Sequence, residues 1–95
     1  MIELKLPLKH RYGLHARPSQ VIATAAMKYE SDIVLKWKDE EVDAKSVLGL
    51  ISLGIPAEST LDFRIDGEDE QQAAQEIEQL VAVNFGLEEP KKTED

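Results

Sequence analysis

Four segments of the chain alternate apolar and polar residues, which is the pattern of β-strands that bury one face. The first covers residues 2–8 and contains Pro7, a residue that favours an edge strand or the end of a strand. Asp39-Glu40 is predicted to form a turn between the second and third strands. The three remaining predicted strands cover residues 32–38, 41–44 and 60–66.

Three other segments show the periodicity of helices with one apolar stripe. The first helix is predicted from residue 16 to about residue 29, and the second is a short helix over residues 46–53. The third begins after Gly67, where the acidic residues 68–70 complement the positive end of the helix dipole. Gly86 is predicted to end this helix, after a stripe formed by Ala73, Ala74, Ile77, Leu80, Val81 and Phe85.

The predicted order of elements is therefore β-α-β-β-α-β-α, which indicates an α+β fold. Because each strand has one apolar face and each helix one apolar stripe, the helices should cover one side of an antiparallel sheet. Residues 1–87 are predicted to form a single domain. Residues 88–95 are charged, contain Pro90 and lack an apolar anchor, so we expect a disordered tail.

The charged residues are unevenly distributed along the chain, and this bears on the kind of partner that the protein can bind. The net charge is −8, and the acidic excess lies in the second half of the chain. A basic cluster without any acidic residue occupies the first half: Lys9, His10, Arg11, His15 and Arg17. So acidic a chain is a poor ligand for nucleic acid, whereas an acidic protein surface could dock on the basic cluster. The alternative is that these are ordinary solvated charges.

The composition also bounds the location of the protein. Its apolar residues never form the run of roughly 18–20 that spans a bilayer, and its first residues do not resemble a secretory signal. The absence of cysteine excludes a disulfide framework and a thiolate nucleophile. We therefore expect a cytoplasmic protein without membrane insertion. As a separate expectation, the protein is a monomer.

The segment from Gly13 to Ser19 is the most informative one chemically. It places His15 immediately before a predicted helix whose first N–H groups lack intrahelical partners, with Arg17 two residues further on. Pro18 suits the first helical turn, and Gly13 permits a close backbone approach in the preceding loop. A phosphoryl group on His15 would lie against backbone donors, the helix dipole and a guanidinium. The alternative is that His15 only caps the helix beside an unrelated arginine.

The short helix over residues 46–53 carries more apolar residues than one face can bury. Ser46 suits the N-cap position because its hydroxyl can accept from N–H groups two or three residues later. Some apolar residues should therefore remain exposed, and such a patch is typical of a partner-binding surface. The alternative is that all of them enter the core through an irregular turn. The apolar residues concerned are Val47, Leu48, Leu50, Ile51 and Leu53.

Together, residues 13–18 (GLHARP) and 45–55 (KSVLGLISLGI) resemble the active-site and regulatory motifs of the HPr family. These are the histidine-containing phosphocarrier proteins of the bacterial phosphoenolpyruvate-dependent phosphotransferase system. The resemblance covers residues 1–87 in length, element order and the spacing of both motifs. It implies an HPr-like open-faced β-sandwich, in which a four-stranded antiparallel sheet carries three helices on one face.

The resemblance also implies roles for individual residues. His15 Nδ1 would take a phosphoryl group from Enzyme I and pass it to Enzyme IIA components of sugar permeases. Arg17 would neutralise the phosphate, and the N–H groups of Ala16 and Arg17 would cradle it. Ser46 matches the serine that HPr kinase phosphorylates in the regulated subgroup. The residues implied to dock partners are Gln20, Val47, Leu48 and Ile51.

Two classes of function follow from the sequence. The first is a phosphoryl carrier, a protein substrate with a phosphohistidine intermediate rather than an enzyme. The second is a regulatory binding module that controls a transcription factor or a metabolic enzyme, either through phosphorylated Ser46 or as a nitrogen-regulatory phosphocarrier. The presence of His15 favours the first. No cofactor is implied, and His10 with His15 makes a poor metal site because no carboxylate is near them in the sequence.

Overall fold

The computed structural model describes residues 1–87, so the predicted disordered tail lies outside the described residues. The strands are β1 (Ile2–Pro7), β2 (Asp32–Trp37), β3 (Glu40–Asp43) and β4 (Thr60–Asp66). The helices are α1 (Ala16–Ala26), α2 (Val47–Ser52) and α3 (Glu70–Ala82). The predicted order of elements is therefore confirmed. Within the described residues, no helix combines the length and the apolar character needed to cross a bilayer.

The four strands form one antiparallel sheet in the order β1-β4-β2-β3. Phe63 of β4 pairs with Leu4 on one side and Leu35 on the other, so apolar residues of neighbouring strands share one face. Pro7 is the last residue of the edge strand β1, where its missing N–H removes no central ladder bond. Pro7 therefore lies both at the end of a strand and at the edge of the sheet, the two places that the sequence suggested for it.

The sheet has one dry face and one charged face. On the charged face, Lys5 Nζ lies 3.2 Å from Asp62 Oδ2, and Arg64 lies 3.6 Å from Glu41. The dry face packs against the helices, and this arrangement confirms the predicted open-faced sandwich. The largest fully buried strand side chains are Ile33, Leu35, Leu61, Phe63 and Ile65.

Three boundaries of helices, strands or turns differ from the prediction, because local turns end an element before its apolar pattern ends. Helix α1 ends at Ala26 rather than near residue 29, since Tyr29 N–H already bonds to Ala26 O in a tighter turn. The hairpin turn lies at Lys38-Asp39 rather than Asp39-Glu40, and Lys38 adopts a positive φ of 55° there. The third strand consequently begins and ends one residue earlier than predicted.

The end of α3 also differs from the prediction. The α-helix stops at Ala82, and a 3-10 turn over Asn84–Gly86 follows, in which Phe85 has a φ of 61°. The Phe85 side chain is nevertheless buried. It was predicted to be part of the helical stripe, but it reaches the core from a turn that redirects the chain.

Asp69 serves the loop before β2 rather than the helix that it precedes. Its carboxylate accepts from the N–H of Glu30 at 2.9 Å, from the N–H of Ser31 at 3.0 Å and from Ser31 Oγ. It makes no side-chain cap bond to α3, although it occupies the N-cap position. The bond from Ser31 Oγ, followed by that from the Glu30 N–H, lowers the pKa of Asp69 below its ordinary value.

Replacement of Asp69 by asparagine is expected to lower the melting temperature at neutral pH and to weaken the loss of stability on acidification. The carboxylate contributes stability above its unfolded pKa, and this contribution is lost as the pH falls from about 4 through the lowered folded pKa. Melting curves between neutral and acidic pH measure both effects. Glu68→Gln is the matched control, and equal behaviour of the two variants would contradict the prediction.

Candidate functional site

The loop that carries the GLHARP motif is fastened at both ends to residues 55–59. Leu8 and Leu14 are buried at its two ends. Leu8 N–H donates to Ser59 O at 2.8 Å, and Leu14 N–H donates to Ile55 O at 2.9 Å. The loop between β1 and α1 therefore has fixed end points, and His15 follows the second of them directly.

Gly13 makes the second attachment possible. Its φ is 74°, in the left-handed region, and a Cβ at this position would lie 2.5 Å from Ile55 O. Both the conformation and the close approach exclude an ordinary side chain. The predicted close backbone approach at Gly13 is therefore confirmed. The backbone that Gly13 approaches belongs to the segment that follows α2.

His15 occupies the N-cap position of α1 with an extended backbone, at φ −96° and ψ −164°. Its carbonyl accepts the first helical bond, from Ser19 N–H at 3.0 Å, but its side chain makes no capping hydrogen bond. The alternative role of His15 as a mere side-chain cap therefore has no support. The N–H groups of Ala16 and Arg17 lie in the first turn, where no intrahelical acceptor is available, and both residues are exposed.

His10 is the residue of the site that sequence reasoning missed. It is only 3% exposed, and its Nδ1 lies 3.2 Å from His15 Nε2, with the ring centroids 4.6 Å apart. A signal for its burial was present, because the inward positions of the first strand, Leu6 and Leu8, continue in steps of two to position 10.

Basic and aromatic side chains surround the two histidines on the solvent side. Tyr12 is 59% exposed, and its ring meets the ring of His15 edge-on at a centroid distance of 6.0 Å. The Arg11 guanidinium carbon lies 5.9 Å from the centre of the Tyr12 ring. Arg17 is exposed one residue into α1. The exposed Arg17 therefore offers positive charge to an incoming anion at the start of α1.

Helix α2 presents Ser46 and an apolar patch. Ser46 Oγ accepts from Gly49 N–H at 3.0 Å, which confirms the predicted N-cap. Leu48 is 81% exposed and Ile51 is 37% exposed, whereas Leu50 is fully buried. The alternative in which every apolar residue of this helix enters the core is therefore wrong. We call the surface formed by Val47, Leu48 and Ile51 the α2 patch; Val47 is half-buried within it.

Gln20 extends the exposed side of α1 next to Arg17. Both residues lie on the rim of an open groove between α1 and α3, and Gln20 is one helical turn beyond Arg17. Helix α1 also packs against α2, and the loop before His15 bonds to the segment after α2, so α2 is a direct neighbour of α1. Within residues 1–87, acidic and histidine side chains form no group of three suited to a metal ion.

Comparisons with known proteins identify relatives along most of the chain. A family model described as the phosphorylation site of the phosphotransferase HPr component matches residues 2–83. Phosphocarrier protein HPr of Xylella fastidiosa is 35% identical over 85 residues, covering 90% of this chain and 96% of that protein. HPr-like protein Crh of Halalkalibacterium halodurans is 37% identical over 82 residues, covering 86% of this chain and 94% of that protein.

A solved structure of HPr from Thermoanaerobacter tengcongensis superposes with a TM-score of 0.87 at 33% identity. The superposition covers 93% of this chain and 99% of that one. The matched fold is the α+β open-faced sandwich, which the sequence motifs implied. With the family model spanning most of the chain, the resemblance is confirmed: this protein belongs to the HPr family of phosphocarrier proteins.

Proposed function

We propose that this protein carries a phosphoryl group on His15, which it receives from Enzyme I and delivers to Enzyme IIA-type partners in the cytoplasm. The observation that supports this most directly is the position of His15 at the start of α1, with its side chain outside any capping bond. The protein is consumed and regenerated stoichiometrically, so it is a carrier and not an enzyme. We expect it to act as a monomer.

The proposed chemistry uses the imidazole as a nucleophile. The lone pair of His15 Nδ1 forms a bond to phosphorus, while the bond from phosphorus to the donor's leaving atom breaks and the donor keeps that electron pair. The N–H groups of Ala16 and Arg17 donate to the phosphoryl oxygens, and the Arg17 guanidinium balances their charge. The contact with His10 engages Nε2, so transfer at Nδ1 leaves that contact in place.

The proposed partner surface joins Gln20 to the α2 patch. Exposed apolar side chains beside a basic cluster suit a partner that offers apolar contacts rimmed by acidic residues. Enzyme I and Enzyme IIA-type proteins would have to use this same surface in turn, since each must bring its reacting atom to His15. The net charge of −8 makes nucleic acid an unsuitable partner.

The direct test is incubation with phosphoenolpyruvate and Enzyme I, followed by intact-mass measurement. We expect a mass gain of one phosphate that disappears after brief acid treatment, because phosphohistidine is acid-labile and phosphoserine is not. Omission of Enzyme I is the control, and it should give no gain. A stable gain, or no gain with an Enzyme I that charges another HPr, would contradict the proposal.

Replacement of Arg17 by lysine is expected to slow phosphoryl transfer with no change in fold. Lysine keeps the charge but lacks the planar fork that pairs with two phosphoryl oxygens. The loss corresponds to one charge-assisted hydrogen bond, so we expect transfer to be slower by about tenfold or more. Rapid-quench kinetics measure the rate. Lys28→Arg, in the turn that follows the same helix, is a control. A parental rate for the Arg17 variant would make Arg17 an ordinary surface charge.

Replacement of Leu48 by aspartate is expected to weaken binding to Enzyme I while the domain stays folded. Leu48 is exposed, so the free protein loses little, whereas the complex loses an apolar contact and gains a buried charge. We expect Kd to rise by about 5- to 30-fold, measured by titration calorimetry. The control is Leu50→Ala, which should destabilise the fold by about 2–5 kcal/mol. Unfolding of the Leu48 variant would contradict the exposed-patch interpretation.

A second function, regulatory binding through phosphorylated Ser46, is favoured by one specific observation. Ser46 is exposed at the N-cap of α2, directly before the α2 patch, where HPr kinase could reach it. The similarity to the HPr-like protein Crh points the same way, because Crh of Bacillus subtilis is a catabolite repression HPr. The phosphorylated protein would then bind a transcription factor or a metabolic enzyme. The two functions can coexist, because Ser46 and His15 are separate groups.

A further inference from the structure

We propose that His10 is a positioning residue for His15: it accepts a hydrogen bond from His15 Nε2–H and so keeps the ring proton on Nε2 and the lone pair on Nδ1, the atom that attacks phosphorus. This inference rests on the proposed role of His15 as phosphoryl acceptor. The observation that carries it is the pairing of a buried histidine with a half-exposed one at 3.2 Å.

The backbone holds His10 in place independently of His15. Its carbonyl accepts from Gly13 N–H at 3.0 Å, which closes the turn that leads to the motif. Its ring is almost completely buried, so it has little freedom to rotate away. His15, in contrast, extends from the helix start and is only half-buried. His10 is therefore the fixed member of the pair, and His15 is the member that it orients.

The hydrogen-bond network assigns the proton between the two rings. Tyr12 N–H lies 3.4 Å from His10 Nδ1, and a backbone N–H can only donate. His10 Nδ1 therefore carries a lone pair rather than a proton. The proton in the contact between the rings then belongs to His15 Nε2. A neutral imidazole has one ring proton, so this arrangement leaves a lone pair on His15 Nδ1, the atom that must attack phosphorus.

The same contact remains useful during the reaction. When the Nδ1–phosphorus bond forms and the donor bond breaks, positive charge develops on the His15 ring. The Nε2 proton stays on that ring and donates more strongly to His10 Nδ1, so the developing charge is stabilised without any proton transfer. A hydrogen bond to the second ring nitrogen also fixes rotation of the ring, as it does for metal-binding histidines. Loss of this orientation should slow transfer about tenfold or more.

Two variants at position 10 separate the hydrogen bond from the packing. In His10→Asn the side-chain oxygen can occupy the place of Nδ1 and still accept from His15 Nε2. In His10→Leu the buried volume is largely kept and the acceptor is lost. The first measurement uses 15N-labelled, unphosphorylated protein at a pH where both imidazoles are neutral. With only two histidines in the chain, the ring nitrogens are readily assigned.

We expect the 15N shifts to report one dominant tautomer of His15, with the proton on Nε2, in the parent and in His10→Asn. In His10→Leu, the Nδ1–H tautomer should become populated and transfer from charged Enzyme I should slow. Parental shifts and a parental rate in His10→Leu would overturn the inference. So would an asparagine variant that is folded but behaves like the leucine variant. If the parent itself takes up no phosphate, the proposed function fails, while the nitrogen shifts still test the pairing of the two histidines.

Discussion

Replacement of His15 by alanine is expected to abolish the acid-labile phosphate completely. Alanine has no nucleophilic nitrogen, and no other side chain of the described site combines a ring nitrogen with exposure at the start of α1. The fold should be preserved, because His15 is half-exposed and its helix-starting bond is made by its backbone carbonyl. Intact-mass measurement with phosphoenolpyruvate and Enzyme I, together with a melting curve, checks both statements.

The informative control for His15→Ala is His10→Asn, which removes the other histidine and keeps the acceptor. This variant should reach full labelling, because His10 is buried and offers its Nδ1 to its neighbour rather than to solvent. Acid-labile phosphate on the folded His15→Ala variant would contradict the assignment of His15 as sole acceptor. If only the His10→Asn variant lost its labelling, the phosphoryl acceptor would be His10 instead.

Phosphorylation of Ser46 is expected to suppress phosphoryl uptake at His15 with little change in the fold. Phosphoserine brings about −1.5 to −2 charges to the start of α2. The free protein tolerates them, because the first turn of a helix favours negative charge. In the complex with Enzyme I, the same charges would be buried against a surface suited to the α2 patch and to the basic cluster. Desolvation and repulsion from acidic partner residues would then oppose binding.

The measurement compares transfer kinetics of the protein before and after modification by HPr kinase. Ser46→Ala, treated identically, is the control and should keep parental kinetics throughout. Ser46→Asp should show part of the inhibition, since it carries one charge where the phosphate carries nearly two. Parental transfer by protein stoichiometrically phosphorylated at Ser46 would refute the prediction, and an altered melting transition would show that the effect acts through the fold instead.

The fold can be predicted from the sequence because, in most segments, the hydrophobic pattern and the turn-forming residues indicate the same element. Strand β4 was predicted with the bounds that it has, since Leu61, Phe63 and Ile65 alternate with charged residues and turn signals stand on both sides. Such a segment has its hydrophobic face and its limits encoded within itself. The position of His15 before α1 followed in the same way from Pro18 and Gly13.

The parts that escaped prediction depend on contacts between distant segments. The left-handed turn from which Phe85 reaches the core, and the hydrogen bonds from Ser31 to Asp69, depend on residues that are far apart in the sequence. His10 and His15 are only five residues apart, but the path of the loop between them is set by its bonds to the distant residues 55–59. Periodicity can place His10 on the inward side of an extended segment, but only the path of the loop brings the two rings within 3.2 Å.

The double attachment of residues 8–14 to residues 55–59 has a consequence for engineering. The end points of this loop are fixed, His10 is buried within it and Gly13 has no room for a side chain beside Ile55, so an insertion or deletion there would disturb the packing that positions His15. Insertion of a fluorescent tag or an epitope in this loop, or a natural change in its length, should therefore not be tolerated. Such changes should be accepted at the Lys38-Asp39 hairpin turn, which is exposed and joins β2 to the edge strand β3.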